Sequence, residues 1–112
     1  MSHFARAAVA AIVLLISTPS SAAVRDGNAL LQQCTATIGA FMAFCFGYID
    51  AITDSMLEKA GDGGVEICFS AEPDEPQLRN IVVKFLERNY ALRRLGAPEL
   101  IARALSEAFP CQ

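Results

Sequence analysis

Apolar residues recur at helical spacing in three blocks of this chain, and one further block is apolar with no period at all. From Cys34, the positions Cys34, Ile38, Phe41, Cys45, Tyr48, Ile52 and Met56 advance in steps of three or four residues. That spacing puts them on one stripe of a helix. Asp26-Gly27-Asn28 supplies capping residues before the block, and Lys59 followed by Gly61 marks its end. The pattern predicts one long helix from about Asn28 to Ala60, which Gly47 can bend or open to a close crossing. A loop from Gly61 to Pro76 follows, with Cys68 inside it. Pro76, flanked by Asp74 and Glu75, opens a second helix with Leu78, Ile81, Val82, Phe85, Leu86 and Tyr90 inward. Gly96-Ala97-Pro98 interrupts the chain, and Pro98-Glu99 opens a third helix with Ile101, Ala104, Leu105, Ala108 and Phe109 inward. Only Val65 to Phe69 resembles a strand. The expected fold is all-α: a small disulfide-stapled helical domain with one long N-terminal helix packed against two shorter ones.

The aperiodic block is Ala7 to Ile16. His3 and Arg6 precede it, and Ser17, Thr18, Pro19, Ser20, Ser21, Ala22 and Ala23 follow. A mildly basic start, an apolar middle and a run of small residues describe a secretory signal peptide cut after Ala22 or Ala23. The block is too short to cross roughly 30 Å of hydrocarbon. No cysteine marks a lipoprotein cut, and there is no twin arginine. Residues 1–23 are therefore expected to be the signal and residues 24–112 the single folded domain, exported with no membrane span after cleavage.

Composition then narrows the chemistry. The chain is 112 residues long, 54% apolar, with net charge -3. Removing residues 1–23 leaves 89 residues with 8 basic and 12 acidic side chains, and it removes His3, the only histidine. An acidic domain lacks the basic face that nucleic acid requires. Without histidine there is no Ser-His-Asp or Cys-His nucleophile pair and no histidine metal ligand. No Cys-x-x-Cys occurs, and Gly61-Asp62-Gly63-Gly64 lacks the lysine of a phosphate loop. Asp50 and Asp54 share a helix face, which reads as a solvated stripe. No catalytic residue, cofactor or metal site is expected, and the protein is not expected to be an enzyme.

Four cysteines in a small exported chain indicate two disulfides. On one continuous helix, Cys34 and Cys45 lie roughly 16 Å apart, beyond the about 7 Å between Cα atoms that a disulfide allows. Cys68, reached from Ala60 by eight residues spanning at most about 28 Å, can meet Cys45 about 22 Å back along the helix but not Cys34 at about 39 Å. The expected pairs are Cys45–Cys68 and Cys34–Cys111, on the premise that the helix does not break. Phe41, Phe44, Phe46 and Tyr48 crowd a short stretch of that helix and point to more than one side. Two shorter helices cannot cover every side, so these aromatics are the candidate surface of a homodimer.

Several segments together carry a resemblance. They are Gly27-Asn28-Ala29-Leu30-Leu31-Gln32-Gln33-Cys34, Cys45-Phe46-Gly47-Tyr48-Ile49-Asp50-Ala51-Ile52, Ile67-Cys68, Pro76-Gln77-Leu78 with Val82-Val83 and Phe85-Leu86, and Ala104-Leu105-Ser106-Glu107-Ala108-Phe109-Pro110-Cys111. In this order they resemble the Rap/Tai immunity protein family of type VI secretion systems, over nearly all of residues 27–111. The chain departs from that pattern after Cys68-Phe69, where the proline comes only at Pro73, and at Asn89-Tyr90-Ala91. The resemblance implies a periplasmic, helical, disulfide-stapled protein, often a homodimer, that binds and blocks a peptidoglycan amidase toxin, a cell-wall effector. Blocking needs an exposed loop on a rigid scaffold. The candidate contact residues are Glu66, Glu72, Asp74 and Glu75 in the first loop, and Arg93 and Arg94 in the link from Asn89 to Pro98. The alternative reading is a small periplasmic stress or acid chaperone, or another envelope binding protein.

Overall fold

The computed structural model describes residues 24–59 and 66–112. The signal peptide expected at residues 1–23 and the helix stop expected at Gly61 lie outside these residues. Among the described residues four α-helices follow one another: α1 (Gly27–Thr35), α2 (Gly39–Lys59), α3 (Glu75–Arg88) and α4 (Ala97–Ala108). A 3-10 turn at Tyr90–Leu92 links α3 to α4. Among the described residues there is no strand, only an isolated bridge between Asp26 and Gly96. The fold is all-α, as the periodicity predicts.

The N-terminal helix is two helices rather than one. The chain leaves α1 at Ala36, whose backbone is extended, and re-enters a helix at Gly39. Thr35, Thr37, Ile38 and Gly39 are all weak helix formers, and they fall within five residues. Thr35 Oγ1 donates to the Leu31 carbonyl at 2.7 Å, a local bond that competes with continuing the helix. At Gly47, the position where the sequence allowed a bend, α2 runs on unbroken. The corner lies instead between Cys34 and Cys45.

That corner corrects the disulfide pairing. The bonds are Cys34–Cys45 and Cys68–Cys111, with Cα separations of 5.1 and 5.0 Å. The expected pairs Cys45–Cys68 and Cys34–Cys111 rested on a straight helix holding Cys34 and Cys45 apart. With the turn at residues 36–38, α2 folds back against α1 and the two cysteines meet. The exposed carbonyl end of α1 is covered at the same place, where Arg79 Nε of α3 donates to the Cys34 carbonyl at 2.7 Å.

All four helices share one core. Leu30, Ile49, Val82, Leu86, Leu100, Ile101 and Leu105 are essentially without solvent contact. Burying each contributes about 1.5–3 kcal/mol relative to exposure. Thr53 is a buried polar residue, and its hydroxyl donates to the Ile49 carbonyl at 2.7 Å. The inward face of α2 is Cys45, Ile49 and Thr53, rotated from the predicted stripe, so Ile38 and Phe41 lie outside. On α4, Ile101, Ala104 and Leu105 are buried as expected, while Ala108 is exposed.

The start of α1 has every amide satisfied. Gly27 N–H donates to the Leu95 carbonyl at 3.2 Å and Asn28 N–H to the Arg93 carbonyl at 3.3 Å. Ala29 N–H donates to the Asp26 carboxylate at 2.9 Å. Two of the orphan donors of a helix start are thus taken up by a distant turn. So close an approach requires glycine: a Cβ on Gly27 would lie 2.9 Å from Arg93 Cα and against Leu100 Cδ1. Gly27→Ala is therefore expected to cost about 1–3 kcal/mol by overpacking, measured by urea unfolding. A variant as stable as the parent would show that the junction yields.

Candidate partner-binding surface

Two surface features gather most of the residues singled out in the sequence. The first is the α3–α4 turn. α3 ends at Arg88, so Tyr90 leaves the apolar face predicted for it and stands 77% exposed. Asn89 closes the helix: its N–H meets the Phe85 and Leu86 carbonyls, and its side-chain amide donates to the Phe85 carbonyl at 2.8 Å. Arg93 Nε donates to the Leu86 carbonyl at 2.7 Å, and its guanidinium lies 5.0 Å from the centre of the Tyr90 ring. A cation over an aromatic face holds the ring in a defined orientation. Arg94 is exposed beside it, and Arg25 enters through its carbonyl, which accepts from Ala97 N–H at 3.2 Å. Tyrosine and arginine are residue types enriched at interface hot spots, and here they stand on a turn fastened to the first turn of α1.

The second feature is a groove of about 740 Å³ between α2 and the segment before α3. Leu57, Phe69 and Leu78 give it an apolar floor, and Asp50, Asp54, Glu72, Asp74 and Glu75 stand around it. Asp74 has a structural duty as well, since its carboxylate accepts from Gln77 N–H at 2.8 Å and caps α3. Glu66 is exposed and is not one of the groove residues. The Glu75 carboxyl is raised above the ordinary carboxylate range, first by its hydrogen bond with Asp50, then by the charge of Asp50 and slightly by burial. Elsewhere, burial pushes up the Tyr48 hydroxyl, which donates to the Val24 carbonyl at 3.3 Å.

The four aromatics of the candidate dimer surface divide. Phe41 and Phe44 are exposed, whereas Phe46 and Tyr48 are half-buried. Phe44 and Tyr48 stack with ring centres 6.0 Å apart. Ala40, Ala43, Gly47 and Ala51 are exposed on the same outward side, and a Cβ at Gly47 would meet open space. The most apolar 18-residue window of α2 has mean hydropathy 1.3, yet only 17% of it is buried. The helix is long and apolar enough to cross a membrane by length and composition, but it packs here with the other three around one core.

Among the described residues, no group of three His, Cys, Asp or Glu side chains could hold a metal ion. Arg93, Arg94, Glu72, Asp74 and Glu75 are candidates from the sequence alone, whereas Tyr90, expected on a buried face, is a surface residue only in the structure. The sequence also does not join Asp50 and Asp54 to the acidic loop. The signal for Tyr90 was available in Asn89, a helix-stopping residue directly before it.

Among the described residues, the helical scaffold carries two disulfides and leaves no buried side-chain polar atom without a partner. The model of the Rap1a immunity proteins matches residues 26–111, and the chain belongs to that family. No similarity to a curated protein or to a solved structure is found.

The acidic pair makes a pH-dependent prediction. Because Glu75 takes up its proton more readily in the folded state, its contribution to stability is present at low pH. That contribution fades as the pH rises from 4.5 through the raised value. Glu75→Gln keeps a neutral donor facing Asp50 at every pH. The stability of the parent relative to this variant, from urea unfolding, is therefore expected to fall as the pH rises above 4.5. Parallel profiles would mean that the two carboxyl groups do not interact.

Proposed function

We propose that this protein is a periplasmic immunity protein that binds and blocks a peptidoglycan amidase toxin delivered by type VI secretion. In this reading residues 1–23 are the signal removed on export, and residues 24–112 are the binding domain. Membership of an immunity family supports an inhibitor, and two disulfides fit an oxidising compartment.

The observation that carries the reading is the exposed Tyr90, held by Arg93 on a turn whose carbonyls are bonded to the start of α1. An inhibitor gains affinity when its contact residues are ordered before binding, because less conformational freedom is lost. Tyr90 and Arg94 are the anchors we assign to the toxin. The acidic residues Glu72, Asp74 and Glu75 form a second region that cationic groups of the toxin would meet. Glu66 stands apart from both.

The homodimer rests on α2. An exposed face of Ala40, Ala43, Gly47 and Ala51 beside Phe41 and Phe44 is apolar and made mostly of small side chains, which suits a second copy packed across it. The aromatic candidates then act in part from inside, since the half-buried Tyr48 supports Phe44 by stacking.

Two experiments test these statements. Co-expression with an amidase encoded beside the gene should give a complex that no longer hydrolyses cell wall. Tyr90→Ala with Arg94→Ala should weaken that complex at least about 100-fold without changing thermal stability. Failure to bind any such amidase would sink the immunity reading, and full affinity of the double variant would sink the assigned anchors. In light scattering at micromolar concentration the protein should have the mass of a dimer, and Phe44→Glu should give a stable monomer. A monomeric parent would remove the dimer.

A further inference from the structure

The two disulfides differ in their access to solvent. Cys34 and Cys45 are both 0% exposed, enclosed by the core between α1 and α2. Cys68 is exposed and Cys111 half-buried, at the surface next to the last residue of the chain. Thiol–disulfide exchange requires a thiolate to reach a sulfur along the S–S axis, so access governs which bridge opens. Enclosure shields the first bridge, and among the described residues Cys68 has no comparable cover.

What the second bridge holds is also circumscribed. It ties the C-terminal tail to the segment that leads into α3. The other ties at this point are the Cys68 N–H bond to the Phe109 carbonyl at 2.9 Å, the edge-to-face contact of Phe69 and Phe109 with ring centres 4.7 Å apart, and the buried side chain of Ile67. Phe69 to Glu75 forms one wall of the acidic groove. The core of α1, α2 and α4 does not pass through this bridge.

We propose that Cys68–Cys111 is a redox-sensitive latch: a dithiol reductant opens it in the folded protein, releasing the tail and the groove wall, while Cys34–Cys45 stays closed. One thiolate of the reductant attacks Sγ of Cys68, forming a mixed disulfide and expelling the Cys111 thiolate, which takes a proton. The second thiol of the reductant, as thiolate, attacks the sulfur of its own mixed disulfide, expelling the Cys68 thiolate. The bridge gains two electrons, and the dithiol ends as a disulfide. Any reduced dithiol oxidoreductase or small dithiol satisfies this balance. The latch does not depend on the identity of the toxin.

The test is graded reduction of the native full-length protein with dithiothreitol, quenched by alkylation and read by peptide mapping. Cys68 and Cys111 should be labelled at reductant levels at least about tenfold below those that label Cys34 and Cys45. The partly reduced protein should keep its helical circular dichroism. Its amides from Cys68 to Gln77 should lose protection from hydrogen exchange, while those of α1, α2 and α4 keep theirs. Simultaneous reduction of both bridges, or earlier reduction of Cys34–Cys45, overturns the proposal. The Cys68→Ser/Cys111→Ser double variant gives an independent check. It should fold and show the same local loss of protection. If it fails to fold, the bridge is a structural staple and the latch is wrong; if its groove wall stays protected, the bridge controls nothing.

Discussion

The approach of Gly27 to the turn at residues 93–95 is the constraint on which the functional surface depends. A helix start leaves amide donors without partners, and a turn between helices leaves carbonyls without partners. Here the two deficits cancel: Gly27 and Asn28 donate to Leu95 and Arg93. The distance needed leaves no room for a side chain at residue 27. The return contact, Ala97 N–H to the Arg25 carbonyl, fastens the start of α4 to the strand-like lead of α1. The turn that displays Tyr90 is thus anchored on its C-terminal side, at residues 93–97, to residues 25–28, nearly seventy residues earlier in the chain. Backbone bonds fasten residues 93–97, and the Arg93 side chain adds its bond to the Leu86 carbonyl.

The corner between α1 and α2 does comparable work at the other end of α1. It brings Cys34 to Cys45 and leaves the Cys34 carbonyl for Arg79. It also decides the rotation of α2. With Cys45 turned in to meet Cys34, Ile49 and Thr53 follow it inward, and Phe41, Phe44 and the small residues around Gly47 are turned out. The apolar face assigned to a second copy is therefore a consequence of the disulfide. A substitution that freed Cys45 would disturb the outer face as well as the core.

What the sequence disclosed follows from what hydrophobic spacing measures. α3 and α4 were legible because each begins with acidic or proline-bearing first-turn residues and carries an uninterrupted inward stripe. Spacing reports a face, not continuity: Cys34, Ile38 and Phe41 keep helical steps straight through the corner at residues 36–38, so the break was invisible to it. The weak helix formers Thr35, Thr37, Ile38 and Gly39 were the better signal there. The disulfide pairing failed with that premise alone, since the reach arithmetic was sound for a straight helix. Tyr90 was misplaced for a related reason, lying four residues beyond Leu86 in perfect register with a helix that had already stopped at Arg88. The carboxylates of the groove were each visible in the sequence, but only the packing of α2 beside residues 69–75 brings Asp50 and Asp54 to them.

The pairing that the corner permits has a consequence for how the fold is reached. Cys34 and Cys45 are separated by 11 residues, and Cys68 and Cys111 by 43. Cys45 lies only 23 residues from Cys68, so distance along the chain alone would favour that contact over the native one for Cys68. The shorter Cys34–Cys45 loop closes more readily still, and once closed it removes Cys45 from competition. Native pairing then follows chain order without reshuffling. In the chain-entropy model the short bridge contributes about 3 kcal/mol and the long one about 4 kcal/mol. The bridge that restrains the unfolded chain more is thus the solvent-accessible one, closing around α3 and α4, while the enclosed bridge acts mainly by setting the corner. Stability and shape are divided between two bonds of different accessibility, so a change in redox conditions acts first on the tail and the groove wall and leaves the α1–α2 corner in place.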